Sequence, residues 1–406
     1  MKKMLFVTTS YPFGEREASF VRPEIAKLSE KFDITLVSRN SVDEQTSQTP
    51  ENVKVLRYNS KKSYSVIKYL LKTICSPYIY GEIITLTKKK KVSIAKIKKA
   101  IKYCMRSFHF ADYLNDIRKE MGEEVVLYTY WNDYSVMSLS LIKQPKDKLV
   151  SRAHRIDLYE RKENNYYLPL KKISNRKTDL IAFISEEGKE YFSNNFETKA
   201  SKEVFRLGVK SQKKKIVNKK ENELSVYSFS YVVPVKRLDK IIDALQRVPE
   251  DIKVNWTHIG GGPLFEDISN TAKEKLGEKG NITYSFVGAM ENSDALEFIG
   301  QKDFDLLINT SDSEGIPVTM MEAMSFGIPV LALNVGGVSE IVKNNKNGYL
   351  LPANADMSLI TETLVSHTEF DLYKVNEMHE CAFDTWKNSY YDKKNYEEFT
   401  TRLYNL

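Results

Sequence analysis

Short apolar runs of the strand type alternate with stretches of helical periodicity along the whole chain. The runs that predict strands occur at residues 4–8, 34–38, 125–128, 149–152, 227–233, 254–259, 282–287, 304–309 and 329–333. Apolar positions at helical spacing lie between them, as at Ile241, Ile242 and Leu245. Strands that alternate with helices favour parallel sheets with crossover helices, so the pattern predicts an α/β fold.

The region around residue 315 is the most informative part of this pattern. A buried strand at 304–309 is followed by a turn at 311–315 and then by a helix predicted over 318–326. Pro317 is tolerated in the first turn of that helix, and Gly327 is placed as its stop. The loop before the helix therefore lies at the mouth of a strand-to-helix crevice.

Two carboxylates belong to this crevice. Glu314 lies in the loop and Glu322 follows eight residues later, in the first turns of the helix. The backbone N–H groups near Gly315 and Ile316, just before Val318, lie where a helix start favours phosphate oxygens. The arrangement suits a sugar diphosphate, although acids are also common near helix starts as ordinary surface charges.

Two loops upstream add further polar groups. The loop after the run 227–233 contains Lys236 and Arg237, and a lysine there is a compact charge suited to phosphate. A Gly-Gly-Gly-Pro turn begins at Gly260 after the run 254–259. Glycines let backbone approach a ligand closely, although a plain tight turn would have the same sequence.

Taken in order, these segments resemble the retaining glycosyltransferases of the GT-B fold, of the family 4-like type also called glycosyl transferases group 1. That family includes sucrose-phosphate synthase, glycogen synthase and many bacterial polysaccharide enzymes. Its Glu-x7-Glu signature is matched by Glu314 and Glu322, and the resemblance extends over residues 225 to 352. The other matching positions are Lys236, the segment 282–290 as a Phe-x-Gly region, Gly336-Gly337 with Glu340, and the segment 347–351.

The resemblance implies roles for individual residues. Glu322 is expected to hold the donor ribose, Glu314 to contact hydroxyls of the transferred sugar, and Lys236 to neutralise the leaving diphosphate. His154, after the strand 149–152, matches the family histidine near the transferred sugar. The catalytic set is thus His154, Lys236 and Glu314. The donor-binding set is Gly14, Ser230, Lys236, Arg237, Gly260, Gly261, Met290, Glu314, Gly315, Ile316, Val318 and Glu322.

The sequence departs from the family pattern in the loop after residue 229. Tyr231 stands where most members have an arginine that partners the lysine, and Ser230 and Arg237 replace two usual glycines. We interpret Arg237 as a group that supplies the missing charge from another direction.

Chain length and composition indicate two domains. A chain of 406 residues with 42% hydrophobic residues exceeds the usual size of a single core. The predicted division is an acceptor-side Rossmann-like domain at 1–209, a charged linker at 210–223, a nucleotide-sugar domain at 224–385 and a C-terminal helix at 386–406 that crosses back to the first domain. The resemblance implies that the two domains face each other across a cleft.

The net charge of +7 is concentrated in one stretch of the N-terminal half. Residues 61–106 contain thirteen Lys or Arg against one acid, Glu82, with apolar residues between them. Such a basic amphipathic stretch is typical of a surface on an anionic membrane leaflet, and solvated helix faces with core stripes are the alternative. No nucleic-acid recognition motif is present, so a lipid-linked acceptor explains the stretch better.

No apolar run is long enough for a membrane span or a secretory signal, and we expect a cytoplasmic protein bound peripherally to the inner face of the cell membrane. Three scattered cysteines without metal spacing indicate neither zinc nor a disulfide framework. No metal is expected, in agreement with the metal independence usual in this family.

The predicted function is transfer of a sugar from a nucleoside diphosphate donor, UDP rather than GDP, to a membrane-associated glycan or lipid-linked acceptor in cell-surface polysaccharide biosynthesis. Two alternatives stay open. A nucleotide-sugar 2-epimerase would have the same two-domain scaffold, and a non-catalytic partner subunit would explain Tyr231 in the arginine position.

Overall fold

The computed structural model describes residues 1–14, 17–39, 45–60, 65–160 and 166–406. It divides into two compact units. The first consists of Met1–Arg206 together with Tyr396–Leu406, and the second of Leu207–Asn395. Each unit is an α/β body built on a parallel sheet, which confirms the predicted fold class.

The first unit contains a seven-stranded sheet. Its strands are β1 (Lys2–Thr8), β2 (Phe32–Ser38), β3 (Val53–Arg57), β4 (Val125–Thr129), β5 (Lys148–Ala153), β6 (Leu180–Phe183) and β7 (Ser201–Val204). They are parallel and lie in the order β3-β2-β1-β4-β5-β6-β7. In β1, Met4 and Phe6 belong to the core on one face of the sheet, and Leu5 and Val7 to the core on the other. The sheet is therefore buried on both faces, as parallel sheets usually are.

Helices cover both faces of this sheet. They are α1 (Ala18–Leu28), α2 (Val66–Ile74), α3 (Pro77–Lys88), α4 (Ile94–Glu120), α5 (Tyr134–Ile142), α6 (Arg155–Leu158), α7 (Lys171–Ser174) and α8 (Glu186–Asn195). The end of the chain also belongs to this unit, because Phe399 and Leu403 join the core beside Phe6.

The second unit contains a six-stranded parallel sheet. Its strands are β8 (Glu223–Phe229), β9 (Lys253–Ile259), β10 (Ile282–Gly288), β11 (Leu306–Asn309), β12 (Val330–Leu333) and β13 (Gly348–Leu351), in the order β10-β9-β8-β11-β12-β13. The helices are α9 (Leu238–Leu245), α10 (Phe265–Leu276), α11 (Asn292–Gln301), α12 (Val318–Ser325), α13 (Val338–Ile341), α14 (Met357–Glu369), α15 (Leu372–Ser389) and α16 (Asp392–Tyr404), the last of which continues into the first unit.

Strand order reverses at one point in each sheet, between β1 and β4 in the first and between β8 and β11 in the second. Ligands of open α/β sheets bind in the crevice at the carboxyl ends of the strands at such a reversal. The loops after these four strands are therefore the places to look for functional groups.

One predicted strand is wrong in its position. The run 227–233 corresponds to β8, which begins at Glu223 and ends at Phe229. The two valines that extended the prediction belong to the following loop, where Val232 is buried beneath the glycine turn and its N–H donates to the Gly261 oxygen at 2.9 Å. All other predicted strands lie within two residues of observed ones at both ends.

The charged segment 210–223 lies within the second unit. The backbone N–H of Lys215 donates to the Phe326 oxygen at 2.8 Å, and the last residue of the segment, Glu223, begins β8. The division between the units falls after Arg206. In the described part of the chain, no helix combines the length and the apolar character that crossing a bilayer requires.

Candidate functional site

Lys236 and Glu314 meet at the reversal point of the second sheet. Lys236 ends a short 3₁₀ turn that follows β8, and Glu314 lies in the loop after β11. The Lys236 Nζ atom is 2.6 Å from Glu314 Oε1, and Asn309 Nδ2 lies 3.5 Å from the same oxygen. Both side chains are largely buried. Two residues from separate predicted segments are thus joined as an ion pair.

The positive charge of Arg237 is neutralised by nearby carboxylates. Its guanidinium donates to Asp239 at 2.8 Å and to Asp312 at 3.1 Å, and these contacts raise the pKa of Arg237. Asp312 also pairs with Lys240 at 3.2 Å. Two carboxylates therefore already bind Arg237, and its role in supplying the charge missing at Tyr231 stays a prediction.

Glu322 is buried in the middle of α12. Asn292 Nδ2, on the first residue of α11, donates to Glu322 Oε1 at 2.8 Å, and among the described residues Oε2 has no hydrogen-bond partner. Burial raises the pKa of Glu322 to about 7, against the lowering effect of the Asn292 hydrogen bond. This carboxyl therefore titrates near neutral pH, which is frequent at functional sites.

The glycine turn after β9 lies against the loop that follows β8. Gly260 has φ of 129°, and a Cβ atom there would be 2.1 Å from the Ser230 carbonyl oxygen. A Cβ on Gly261 would be 3.1 Å from the Ala289 Cβ, next to the half-exposed Met290. Gly260 must therefore be glycine for these backbones to approach. Ser230, Gly260, Gly261 and Met290 are brought together as neighbours.

A glycine, Gly337, also packs closely against the loop before α12. A Cβ on Gly337 would be 2.9 Å from Ile316 Cγ1 and 3.1 Å from the Gly315 oxygen. Gly337 of the Gly-Gly motif thus packs against Gly315 and Ile316, which are followed by Pro317 and by Val318, the first residue of α12. A larger residue at Gly337 would displace the backbone N–H groups that were predicted to bind phosphate.

In the first unit, His154 follows the end of β5 directly. Its ring packs against Tyr130 and Trp131, with centroid separations of 4.7 and 4.5 Å. Both ring nitrogens are buried without a hydrogen-bond partner among the described residues. Burial, helped by the positive charge of Arg152, lowers the pKa of His154, so the ring is neutral at physiological pH. Gly14, the other predicted residue of this unit, lies in the loop after β1.

A buried polar network supports His154 and was missed from the sequence. Asp157 accepts from the backbone N–H groups of His154 and Asn132 at 2.6 and 2.5 Å. Lys171 Nζ donates to Asn132 Oδ1 at 2.6 Å. Burial raises the pKa of Asp157 and lowers the pKa of Lys171, while their opposite charges counteract both shifts. The sequence did contain one signal for this network, because Asn132 and Asp157 follow shortly after β4 and β5.

The loop after β1 already contains an anion from the protein itself. Glu17 accepts from the backbone N–H groups of Thr9, Ser10 and Tyr11, at 3.0, 2.6 and 2.9 Å. Trp131 Nε1 also donates to this carboxylate. In a dinucleotide-binding turn, such N–H groups would face phosphate. Because Glu17 occupies them, the first unit is poorly suited to bind a nucleotide at this turn.

The fold is that of an α/β protein with two Rossmann-like units, each built on a parallel sheet. Residues 209–365 match the sequence profile of the family described as Glycosyl transferases group 1. This segment contains the predicted donor-binding residues of the second unit.

Three curated relatives illustrate the similarity. The chain is 24% identical over 192 residues to the N-acetyl-alpha-D-glucosaminyl L-malate synthase of Bacillus anthracis, with 47% of each chain covered. It is 25% identical over 233 residues to the putative colanic acid biosynthesis glycosyltransferase WcaL of Escherichia coli, with 56% of each covered. It is 31% identical over 133 residues to the poly(ribitol-phosphate) alpha-N-acetylglucosaminyltransferase of Staphylococcus aureus, with 32% of this chain and 26% of the relative covered. The matches span about half the length of the first two relatives.

Solved structures share the fold over the whole chain. HepE of Anabaena, solved with UDP and glucose, superposes with a TM-score of 0.68 at 16% identity and full coverage of both chains. Sucrose-phosphate synthase of Thermosynechococcus elongatus superposes with a TM-score of 0.71 at 13% identity, covering 100% of this chain and 98% of the other. At these identities the likeness establishes the GT-B type of fold.

Proposed function

We propose that the protein is a retaining glycosyltransferase that moves a sugar from a nucleoside diphosphate sugar to a glycan or lipid-linked acceptor in bacterial surface polysaccharide biosynthesis. The observation that carries the proposal is the Lys236–Glu314 ion pair at the reversal point of the second sheet, within the segment 209–365 that matches the Glycosyl transferases group 1 profile. The buried Glu322 with its raised pKa gives the same crevice a second acid in a different environment.

The sugar-transfer reaction gives each side chain of the site a different role. The bond between the sugar C1 and the diphosphate oxygen breaks, a bond from C1 to the acceptor oxygen forms on the same face, and the acceptor proton passes to a donor phosphate oxygen. Lys236 stabilises the charge that grows on the leaving diphosphate. Electrostatic stabilisation of this kind is usually the largest single contribution to the rate acceleration. Glu314 binds sugar hydroxyls and Glu322 the ribose. His154, neutral and unpaired, positions the sugar and transfers no proton.

UDP is the proposed donor nucleotide, with GDP as the alternative. Support for UDP comes from likeness to HepE and to Staphylococcus aureus TarM, both solved with UDP. The alternative arises because a Mycobacterium tuberculosis mannosyltransferase that is 26% identical over 189 residues is named as GDP-mannose-dependent. We expect no metal requirement. In this proposal the diphosphate charge is met by Lys236 and by backbone N–H groups of the loop before α12.

The first test is a thermal-shift panel of UDP, GDP, ADP and their common sugars on the wild-type protein and on Glu322→Ala. A ligand that binds the folded state alone raises the unfolding temperature by mass action. We expect one nucleoside diphosphate to stabilise the wild type and to lose this effect in the variant. The matched control is Glu274→Ala, an exposed acid on α10, which should respond like the wild type.

A second experiment separates the alternatives. Incubation of the stabilising UDP-sugar without acceptor, followed by NMR, would show a new epimer if the protein were a 2-epimerase. A non-catalytic partner subunit is favoured by one observation: Tyr231 is exposed in the arginine position, and Arg237 of the same loop is already bound by carboxylates. If the protein is such a non-catalytic subunit, no nucleotide in the thermal-shift panel should stabilise it. Product NMR of the anomeric carbon decides between retention and inversion.

We also propose peripheral binding to an anionic membrane through the basic stretch 61–106. In its described part, Ile67, Leu71 and Ile74 are 73%, 57% and 46% exposed and follow one face of α2. Lysines flank them on α2 and at the end of α3. Lys61, Lys62 and Tyr64 of the predicted stretch lie outside the described residues. Exposed apolar side chains among cations are typical of interfacial helices.

Vesicle sedimentation tests this surface. We expect binding to phosphatidylglycerol vesicles that weakens with salt, and little binding to phosphatidylcholine vesicles. The double variant Ile67→Ser, Leu71→Ser should bind less. Tyr373→Ser, at a side chain of the second unit that is 78% exposed, serves as the matched control. Equal sedimentation of all variants would reject the surface.

A further inference from the structure

A cavity of about 920 Å³ lies within the first unit, apart from the groups considered so far. Arg39 and Tyr58 line it directly after β2 and β3, and Tyr134 lines it from the first residue of α5, which follows β4. Helices α2 and α4 form its other walls. Its volume is within the range of small-ligand sites, and its position is the one at which open α/β sheets bind ligands.

One face of α4 lines the cavity with cations. Lys98, Lys102 and Arg106 follow each other at intervals of four residues, so their side chains lie along one stripe of the helix. In the described part of the chain, none of the three has an ion-pair or hydrogen-bond partner. Like charges at this spacing destabilise a helix, and a bound anion would remove the penalty.

Arg39 adds a buried cation at the inner end. Its side chain is 6% exposed and lies over the Tyr134 ring at 4.5 Å. Asp133 accepts from Nη2 at 2.7 Å, but Nε is buried without any hydrogen-bond partner among the described residues. A buried donor without an acceptor is costly, so an anionic oxygen near Nε would satisfy it.

Other lining residues are apolar. Val66 and Leu70 of α2 line the cavity together with Ile101 and Met105 of α4. The exposed face of α2 is continuous with this part of the wall, because Ile67 and Leu71 each follow a lining residue directly. The cavity thus joins a cationic stripe to an apolar strip that leads to the solvent-exposed surface.

We infer that this cavity binds the phosphate or diphosphate head of an amphiphile whose hydrocarbon chain lies along α2. Three exposed cations of α4 without a carboxylate partner and the unsatisfied Nε of Arg39 favour a bound anion, and the apolar part of the wall favours a hydrocarbon chain. The inference rests on the proposed function only in calling this amphiphile the acceptor. It narrows the acceptor class from any glycan to a lipid phosphate or diphosphate.

Calorimetric titration with farnesyl diphosphate, inorganic pyrophosphate and farnesol tests the inference on the full chain. We expect farnesyl diphosphate to bind at least tenfold more tightly than pyrophosphate, because the chain buries apolar surface. Farnesol should bind more weakly than farnesyl diphosphate. Equal affinity for pyrophosphate and farnesyl diphosphate would mean a free phosphate site and would overturn the lipid assignment.

The variant Lys98→Gln, Lys102→Gln, Arg106→Gln should lose about tenfold or more in affinity for farnesyl diphosphate, because up to three ion pairs disappear. The control Lys54→Gln, Lys119→Gln, Lys199→Gln removes three other cations of the same unit that are not among the cavity-lining residues and should bind as the wild type does. Equal losses in both variants would show a general charge effect and would overturn the inference.

The variant Val66→Ser tests the apolar wall separately. It should weaken farnesyl diphosphate binding and leave pyrophosphate binding unchanged; unchanged affinity for both would contradict the proposed path of the chain. None of these titrations contains a nucleotide sugar. If farnesyl diphosphate does not bind while UDP still stabilises the protein, the lipid assignment of the cavity alone is refuted. If farnesyl diphosphate binds while no nucleotide stabilises the protein, the transferase proposal alone is refuted.

Discussion

Replacing Glu322 by glutamine should make the second unit more stable at neutral pH and remove much of its pH dependence. The carboxyl is 3% exposed, and its Oε1 accepts from Asn292. Glutamine has nearly the same shape as the protonated acid, and its amide oxygen can accept from Asn292 in the same way. The substitution therefore removes the ionisable proton while the packing of α12 is kept.

The magnitude follows from the pKa of Glu322, which burial raises from 4.5 to about 7. Below pH 4.5 the folded and unfolded states are both protonated, and the stability is complete. Between pH 4.5 and 7 the folded state keeps a proton that the unfolded state has lost, so the stability falls as the pH rises. A difference of 2.5 pKa units corresponds to about 3 kcal/mol lost by pH 8.

Urea unfolding of wild type and Glu322→Gln between pH 4.5 and 8 measures this difference. Tryptophan fluorescence reports mainly on the second unit, because Trp256 and Trp386 lie in it and Trp131 in the first. The free energies of unfolding should be similar at pH 4.5 and differ by about 3 kcal/mol at pH 8 in favour of the variant. The exposed acid Glu274, changed to glutamine, should leave the curve unchanged. A constant difference between variant and wild type across the pH range would refute the reasoning.

Three further predictions concern the same unit. Gly260→Ala should destabilise the protein by at least about 2 kcal/mol, because its φ is 129° and its Cβ would overlap a carbonyl oxygen. Gly280→Ala, with no atom within 4 Å of its Cβ, should cost less than about 1 kcal/mol in the same urea unfolding assay. Lys236→Gln should lower the rate of sugar transfer by roughly a hundredfold or more, measured with a radiolabelled donor, whereas the exposed Lys273→Gln should not; equal rates would remove Lys236 from the mechanism. Tyr231→Arg should tighten donor binding in calorimetry, since its side chain is 62% exposed and a guanidinium there can pair with diphosphate; unchanged affinity would show that the position does not face the donor.

Local sequence signals were sufficient for the elements around the second reversal point. The apolar run before residue 310, Pro317 and Gly327 predicted a strand, a turn and a helix, and the structure has β11 and α12 in those places. The strand β8 was misplaced because the valines of its loop are as apolar as a strand. Val232 is buried by contact with the glycine turn, whose Gly261 lies 29 positions further along the chain, and a local pattern does not contain that contact.

The supporting contacts of the candidate sites were beyond prediction for the same reason. Asn292 reaches Glu322 from another helix, and Lys171 reaches Asn132 across 39 positions of the chain. Glu17 comes just before α1 in the sequence, and only the fold shows that three backbone N–H groups of the loop after β1 donate to it. Such contacts depend on which strands become neighbours, and residue spacing does not encode that order.

The charges at the second reversal point bear on how a diphosphate would be bound. Lys236 is matched by Glu314, and Arg237 with Lys240 is matched by Asp239 with Asp312, so the six side chains sum to zero. An incoming diphosphate therefore meets no surplus of positive charge and must compete for Lys236. When Lys236 turns to the diphosphate, Glu314 is freed to accept hydrogen bonds from sugar hydroxyls. The proposed roles of the two residues would thus become available in one step.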